Sequence, residues 1–162
     1  MSRFTAHLGL NLLEYANGQP ANRDGLAMWW LDDPLPYELG EEGSGKRIVI
    51  PRFDRPAFSD ADIRAIVSRR LKVRGVTDLG SVPALGRWVV APSDPAAKGF
   101  VLHDDGYVTR GESWAPALGR PATRGEVDLE LRIAMKALGT PMWRRAVVHR
   151  AVQFGGGRGW GS

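Results

Sequence analysis

The stretch FVLHDDGY, residues 100 to 107, sets one of the chain's three histidines beside two carboxylates and a phenol. On a helix His103 and Tyr107 lie four apart and share a face, whereas Asp104 is rotated by about 100° from His103. Imidazole and carboxylate then point apart: His103 serves as a base toward one side, and Asp104 ligates a cation or caps a loop on the other. Asp128 sits in a second helical stretch, in register with Leu131, Met135 and Leu138. A carboxylate bordering an apolar stripe is costly to bury unless it is paired. An antiparallel pairing of the two stretches makes His103 its partner. A histidine whose second nitrogen donates to a carboxylate has a fixed tautomer and a stabilised charged form, as a water-activating base requires. The same residue types also build a polar staple between two helices and a loop, and the sequence leaves both readings open.

Upstream, VTDLGSVP (76–83) places Asp78 and Ser81 in a turn-forming sequence closed by Pro83. Ser81 is expected to N-cap the PALGRW segment and Asp78 to bond nearby amides in an Asx-turn. Only if Asp78 approaches His103 or Asp104 does it add a third acidic group and make a cation site. His149, among arginines on the last helical stretch, is expected to be partly exposed, and His7 to point off an early strand.

The elements that must position these groups change period at mid-chain. In the first half, Phe4 to Leu13 shows partial alternation, LAMWWL (26–31) is an apolar run, and KRIVIP (46–51) is a β-branched segment ended by proline. Asn17-Gly18, Asp33-Pro34 and Gly43-Ser44-Gly45 punctuate them, which predicts an antiparallel sheet or meander. Ser59 reads as an N-cap, with Asp60 and Asp62 in the first turn and a stripe of Ile63, Ile66, Val67 and Leu71. An extended VRGVTD segment follows. Helical stretches are expected at 95–109, 124–138 and 142–154, the middle one ending at Gly139. The reading is an α+β fold, an N-terminal antiparallel sheet against about three C-terminal helices that include an antiparallel pair. One domain spans 1–155, β-rich to residue 80 and helical from 81. The tail at 156–162 is expected to be flexible, because glycine loses much backbone entropy on ordering.

With 162 residues, 43% hydrophobic and 25% charged, the chain has the composition of a globular domain rather than of a disordered one. No cysteine is present, which excludes disulfides, thiolate metal sites and a cysteine nucleophile. The N-terminus lacks the basic start, long apolar run and cleavage site of a secretion signal, and nowhere do 18 apolar residues run together. The expectation is a protein with no signal peptide and no transmembrane segment. The net charge of +4 comes largely from arginines spread along the chain, Arg69, Arg70, Arg74, Arg144, Arg145 and Arg150 among them. Without a nucleic-acid motif or interleaved aromatics these read as a solvated face, so no specific nucleic-acid partner is expected.

The order TDLGSVP, HDDGY, VDLELRIAMKALG and RRAVVHRAVQFGG resembles the phage and prophage family known as domain of unknown function 1353. The residues that carry the resemblance are Thr77, Asp78, Ser81, Pro83, His103, Asp104, Tyr107, Asp128, Met135 and Gly139, and it covers roughly residues 73 to 155. It implies a phage or prophage origin among tail and lysis genes. The expected role is a tail- or baseplate-associated virion protein, located in the virion or in the host cytoplasm during assembly. Its expected partners are other tail or baseplate proteins, docked through the glycine-rich C-terminus and aromatics such as Trp160. The pattern is also similar to the helix pair of small calcium-dependent phospholipases. That similarity implies His103 as base, Asp128 as its orienter, Asp104 as a calcium ligand, Tyr107 as a supporting hydrogen-bonder, and calcium, with zinc as the alternative, polarising an ester carbonyl. No Tyr-x-Gly-x-Gly calcium loop lies upstream, so TDLGSVPALG, with Asp78, would have to serve. The alternatives are a non-virion, cation-dependent hydrolase acting on a lipid ester or a peptidoglycan bond, and a structural adaptor with a buried polar network.

Overall fold

The structure, a computed structural model, describes residues 1–79 and 92–161. Ser81, Pro83 and the PALGRW segment lie outside the described residues. Eight short strands are described: β1 Arg3–Phe4, β2 Leu10–Leu12, β3 Asn22–Arg23, β4 Leu26–Ala27, β5 Trp29–Leu31, β6 Leu35–Glu38, β7 Arg47–Ile50 and β8 Val76–Thr77. Helix α1, Asp60–Val67, falls between β7 and β8. The helices α2 Ala97–Val108, α3 Ala115–Leu118, α4 Arg124–Ala137, α5 Met142–Gly155 and α6 Gly157–Gly161 follow. The fold is α+β, as the change of period predicts.

The strands form antiparallel sheets in the orders β1-β6-β7, β2-β5-β8 and β3-β4. The run LAMWWL is not one strand: β4 closes a hairpin on β3, and β5 pairs with both β2 and β8. Central strand β6 is hidden by Pro36 within it and Pro34 just before it, since proline removes a ladder donor. In a strand a residue's N–H and C=O point to the same side. Pro36 O accepts from Thr5 N at 3.3 Å, so the missing N–H faces β1, whose pairing with β6 stops at Phe4, and the β7 ladder is undisturbed.

Helix α1 begins with a reciprocal cap: Ser59 Oγ accepts from Asp62 N at 3.2 Å while the Asp62 carboxylate accepts from Ser59 N at 2.9 Å. Thr123 and Glu126 repeat the device at the start of α4. Helices α2 and α4 run antiparallel and pack closely through glycines. Gly99 faces Leu131 and Met135, and Gly106 faces Val127. One core lies between the β1-β6-β7 sheet and α2, α4 and α5, built on Tyr37, Ile48, Ile50, Phe100, Leu102, Leu131 and Val148. A second, smaller core of Leu13, Ala21, Met28, Phe53, Ile63 and Ile66 holds α1 to the N-terminal strands. Where a tail free of regular structure is expected, residues 157–161 form the short helix α6, and Trp160 packs edge-on against Tyr107 at 5.1 Å. Among the described residues no helix is long and apolar enough to cross a membrane.

Candidate functional site

Helix α2 lies in the core, so both faces of HDDGY are committed to neighbours. His103 is 7% exposed, and its ring stacks at 4.2 Å on Tyr107, one turn further along the same face. Across the antiparallel pair, His103 Nε2 lies 3.0 Å from Asp128 Oδ1, and the Tyr107 hydroxyl donates to the same oxygen at 2.7 Å. An ionised carboxylate only accepts, so the imidazole donates at Nε2, and in its neutral form the lone pair is on Nδ1. Arg124, one turn before Asp128 on α4, lies 3.5 Å from the other carboxylate oxygen and donates to the Tyr107 hydroxyl at 3.3 Å. Its Nη2 also donates to the carbonyls of Val152 and Gln153, which ties the start of α4 to the end of α5.

Asp104 does not point away from His103 as helical rotation alone suggests. Its Oδ1 lies 3.8 Å from His103 Nδ1, so the ring stands between two acids. The carboxylate is drawn there by β8. Leu79 N donates to Thr77 Oγ1 at 3.0 Å, which leaves the threonine hydroxyl to donate to Asp104 Oδ2. Thr77 thus takes a turn role of the kind expected of Asp78. Asp78 pairs with Arg23 at 3.3 Å, and Arg23 also donates to the Ile66 and Val67 carbonyls at the end of α1.

The charges follow from these contacts. Burial pulls the His103 pKa down, but the acids on either side outweigh it and leave the group above its ordinary value. Burial raises the Asp128 carboxyl, yet hydrogen bonds from His103 and Tyr107 and the nearby Arg124 charge hold it below the usual carboxylate range. Asp104 is pushed up by burial, with the negative charge of Asp78 adding to it. Burial and Asp128 likewise raise the Tyr107 phenol. Asp128 is thus the fixed anion of the group.

A cavity of about 180 Å³ opens beside these residues, with His103, Asp104, Tyr107, Thr77, Asp78 and Arg23 among its lining. Asp128, bonded to the imidazole, is not among the residues that line the cavity. Asp105, to which the sequence reading assigned no role, turns to the opposite side of α2. It is 3% exposed, holds Arg74 through contacts of 2.7 and 3.1 Å, and accepts from Ser113 Oγ at 2.7 Å. Arg74 Nη2 in turn donates to Val49 O at 2.8 Å. The staple and the cavity-facing pair are therefore different residues of one pentapeptide.

Sequence reasoning brought His103, Asp104, Tyr107, Asp128 and Asp78 to one region, and the structure gathers all five. It missed Thr77 as a side-chain donor, and it missed Arg23 and Arg124 altogether. The i, i+4 spacing of Arg124 and Asp128 was a readable signal for the last. His149 is half-buried, as expected, whereas His7, expected on an early strand, is exposed in the connection between β1 and β2. Among the described residues no three His, Cys, Asp or Glu side chains gather in a metal-holding group. Among the described residues, a cation at Asp78 and Asp104 would compete with Arg23 and the Thr77 hydroxyl.

A protein family described as "Protein of unknown function (DUF1353)" matches residues 63–152, from within α1 to near the end of α5. The match begins before the 73–155 span of the sequence motifs. No curated protein and no solved structure matches the chain.

Proposed function

The chain belongs to the family described as protein of unknown function (DUF1353), and from that premise we propose that it is a phage- or prophage-encoded protein whose His103 site hydrolyses an ester. The observation that carries this reading is the placement of His103. Its Nε2 donates to an anionic Asp128 at 3.0 Å, and its ring lines a cavity of about 180 Å³. The separation of 3.8 Å between Nδ1 and Asp104 is too long for a direct hydrogen bond and is the kind of gap that a bridging water fills. Such a water gives one proton to Nδ1 and adds its hydroxide to the ester carbonyl carbon. When the tetrahedral adduct collapses, the bond to the alkoxy oxygen breaks and the imidazolium returns its proton to the leaving alkoxide. Asp128 orients the ring and stabilises the imidazolium between the two transfers. No step passes through a cation.

The test is turnover of short-chain esters with and without added calcium or zinc. A positioned general base contributes about 10²- to 10⁴-fold. His103→Ala is expected to lose that much with its thermal transition retained, and Asp128→Asn a comparable amount. Wild-type rates in His103→Ala, or no turnover by the wild type in any of these conditions, would refute the reading.

A structural role in a phage tail or baseplate is the second reading, and one surface favours it. Trp143, Val147 and Phe154 fall at spacings of four and seven along α5, on one face, and are 56%, 39% and 89% exposed. Aromatic side chains exposed in this way are anchors of the kind enriched at interfaces. The proposed docking surface is accordingly α5 rather than the glycine-rich end of the chain, whose Trp160 is spent on Tyr107.

A further inference from the structure

The segments that wall the His103 cavity are not equally well held. Met28 and Ile66 belong to the smaller core and Val152 to the larger one. The connection after α1 is tied back to that helix, since Arg69 N donates to Ile66 O and the Arg70 and Leu71 amides donate to Ala65 O. Another part of the wall is Gly155, Gly156 and Gly159, at the end of α5 and in α6.

Residues 155–161 read GGGRGWG, so five of the seven are glycine and Trp160 carries the segment's sole apolar side chain. Glycine loses more backbone entropy on ordering than any other residue. Burial stabilises in proportion to apolar area, and backbone hydrogen bonds exchanged with water leave a small net gain. One half-buried indole therefore offsets little of the cost of ordering this segment. The chain just before it is fixed, because Arg124 Nη2 donates to the Val152 and Gln153 carbonyls. Where the segment seats on Tyr107 the fit requires glycine: a Cβ on Gly156 would overlap the phenol hydroxyl, and one on Gly159 would stand 3.3 Å from Tyr107 Cδ1. Trp160 completes the seat, edge-on to the same ring at 5.1 Å.

We propose that residues 156–161 are a lid on the His103 cavity, hinged across Gly155, Gly156 and Gly157 and latched by the Trp160 indole on Tyr107. Closed, the lid rests on the phenol that donates to Asp128 at 2.7 Å, so the latch and the His103–Asp128 pair share one side chain. Open, it takes the glycine wall away and admits solutes to an imidazole that is 7% exposed when the lid is shut. The lid belongs to the cavity whatever chemistry His103 performs. For an ester hydrolase it is the step that admits substrate and releases products.

The experiment is carbethoxylation of the full chain with diethyl pyrocarbonate, followed at each histidine by mass spectrometry. The reagent acylates neutral imidazole, so runs across pH separate access from protonation. When opening and closing outpace the reagent, the rate at His103 tracks the open population. Trp160→Ala is expected to raise that rate at least about ten-fold, the scale of losing a partly buried aromatic contact. Half-buried His149 and exposed His7 should keep their rates. Gly157→Ala stiffens the hinge where a Cβ meets the end of the Arg124 side chain at 3.3 Å. It should lower the His103 rate about two- to five-fold. A His103 rate unchanged in either variant, or a Trp160→Ala rise shared equally by His149, overturns the proposal. Because no turnover is read, the expected differences in a protein that hydrolyses no ester would uphold the lid and sink the hydrolase, whereas equal rates in an active enzyme would sink the lid alone.

Discussion

His103 is held by two acids at once, and this makes its protonation a stability term as well as a chemical one. Its pKa is raised in the fold above the ordinary value of 6.5. A raised folded value contributes stability that is complete below the unfolded pKa and is lost as pH rises through the folded one. The melting temperature of wild type relative to His103→Gln should therefore narrow as pH rises from below 6.5 into the alkaline range. A gap that widens would contradict the charge assignment. Base competence moves the other way, because Nδ1 must be unprotonated, so any ester turnover should climb over the same interval. The pairing with Asp128 was legible from residue type and register. The approach of Asp104 was not, since helical rotation gives the direction of a Cα–Cβ bond but not the position of the Thr77 hydroxyl that draws the carboxylate round.

At the scale of elements, glycine in HDDGY is a packing requirement. A Cβ on Gly106 would stand 2.7 and 3.0 Å from the two γ-methyls of Val127, a side chain stiff at χ1, on the facing helix. Gly106→Ala should thus destabilise by about 1–3 kcal/mol through overpacking, even though alanine is intrinsically the better helix former. Val127→Ala in the same background should recover part of the loss. Gly125→Ala on α4, where a Cβ meets nothing within 4 Å, should be neutral or stabilising. Thermal or denaturant unfolding of the three variants decides the matter, and a Gly106→Ala protein as stable as wild type would show that the helices yield. The helices and the Ser59 cap could be read from period and cap chemistry because those signals are local. Strand β6 could not, because the tolerance of Pro36 depends on where a different strand ends.

At the scale of the whole molecule, two cores meet at the cavity. Met28 and Ile66 of the smaller core and Val152 of the larger one all line it, so the site sits where the N-terminal strands and α1 come against the helical half. The outer face of α5 is the other molecular-scale feature. If it docks the protein into a phage particle, purified particles should contain the chain in fixed stoichiometry, and Phe154→Ser should lower its incorporation without moving the thermal transition, since Phe154 is 89% exposed. Absence of the chain from particles would end the virion reading.

Composition, period and caps in the sequence alone determined the α+β class, the positions of α1, α2, α4 and α5, and the pairing of His103 with Asp128. Each of these is written within one element or follows from the cost of burying a carboxylate beside an apolar stripe. Tertiary structure alone decided which acids face the cavity, that Arg23 pairs with Asp78, and that Asp105 is the staple. These depend on side chains distant in sequence meeting at distances of a few ångströms, and periodicity along the chain carries no information about such meetings.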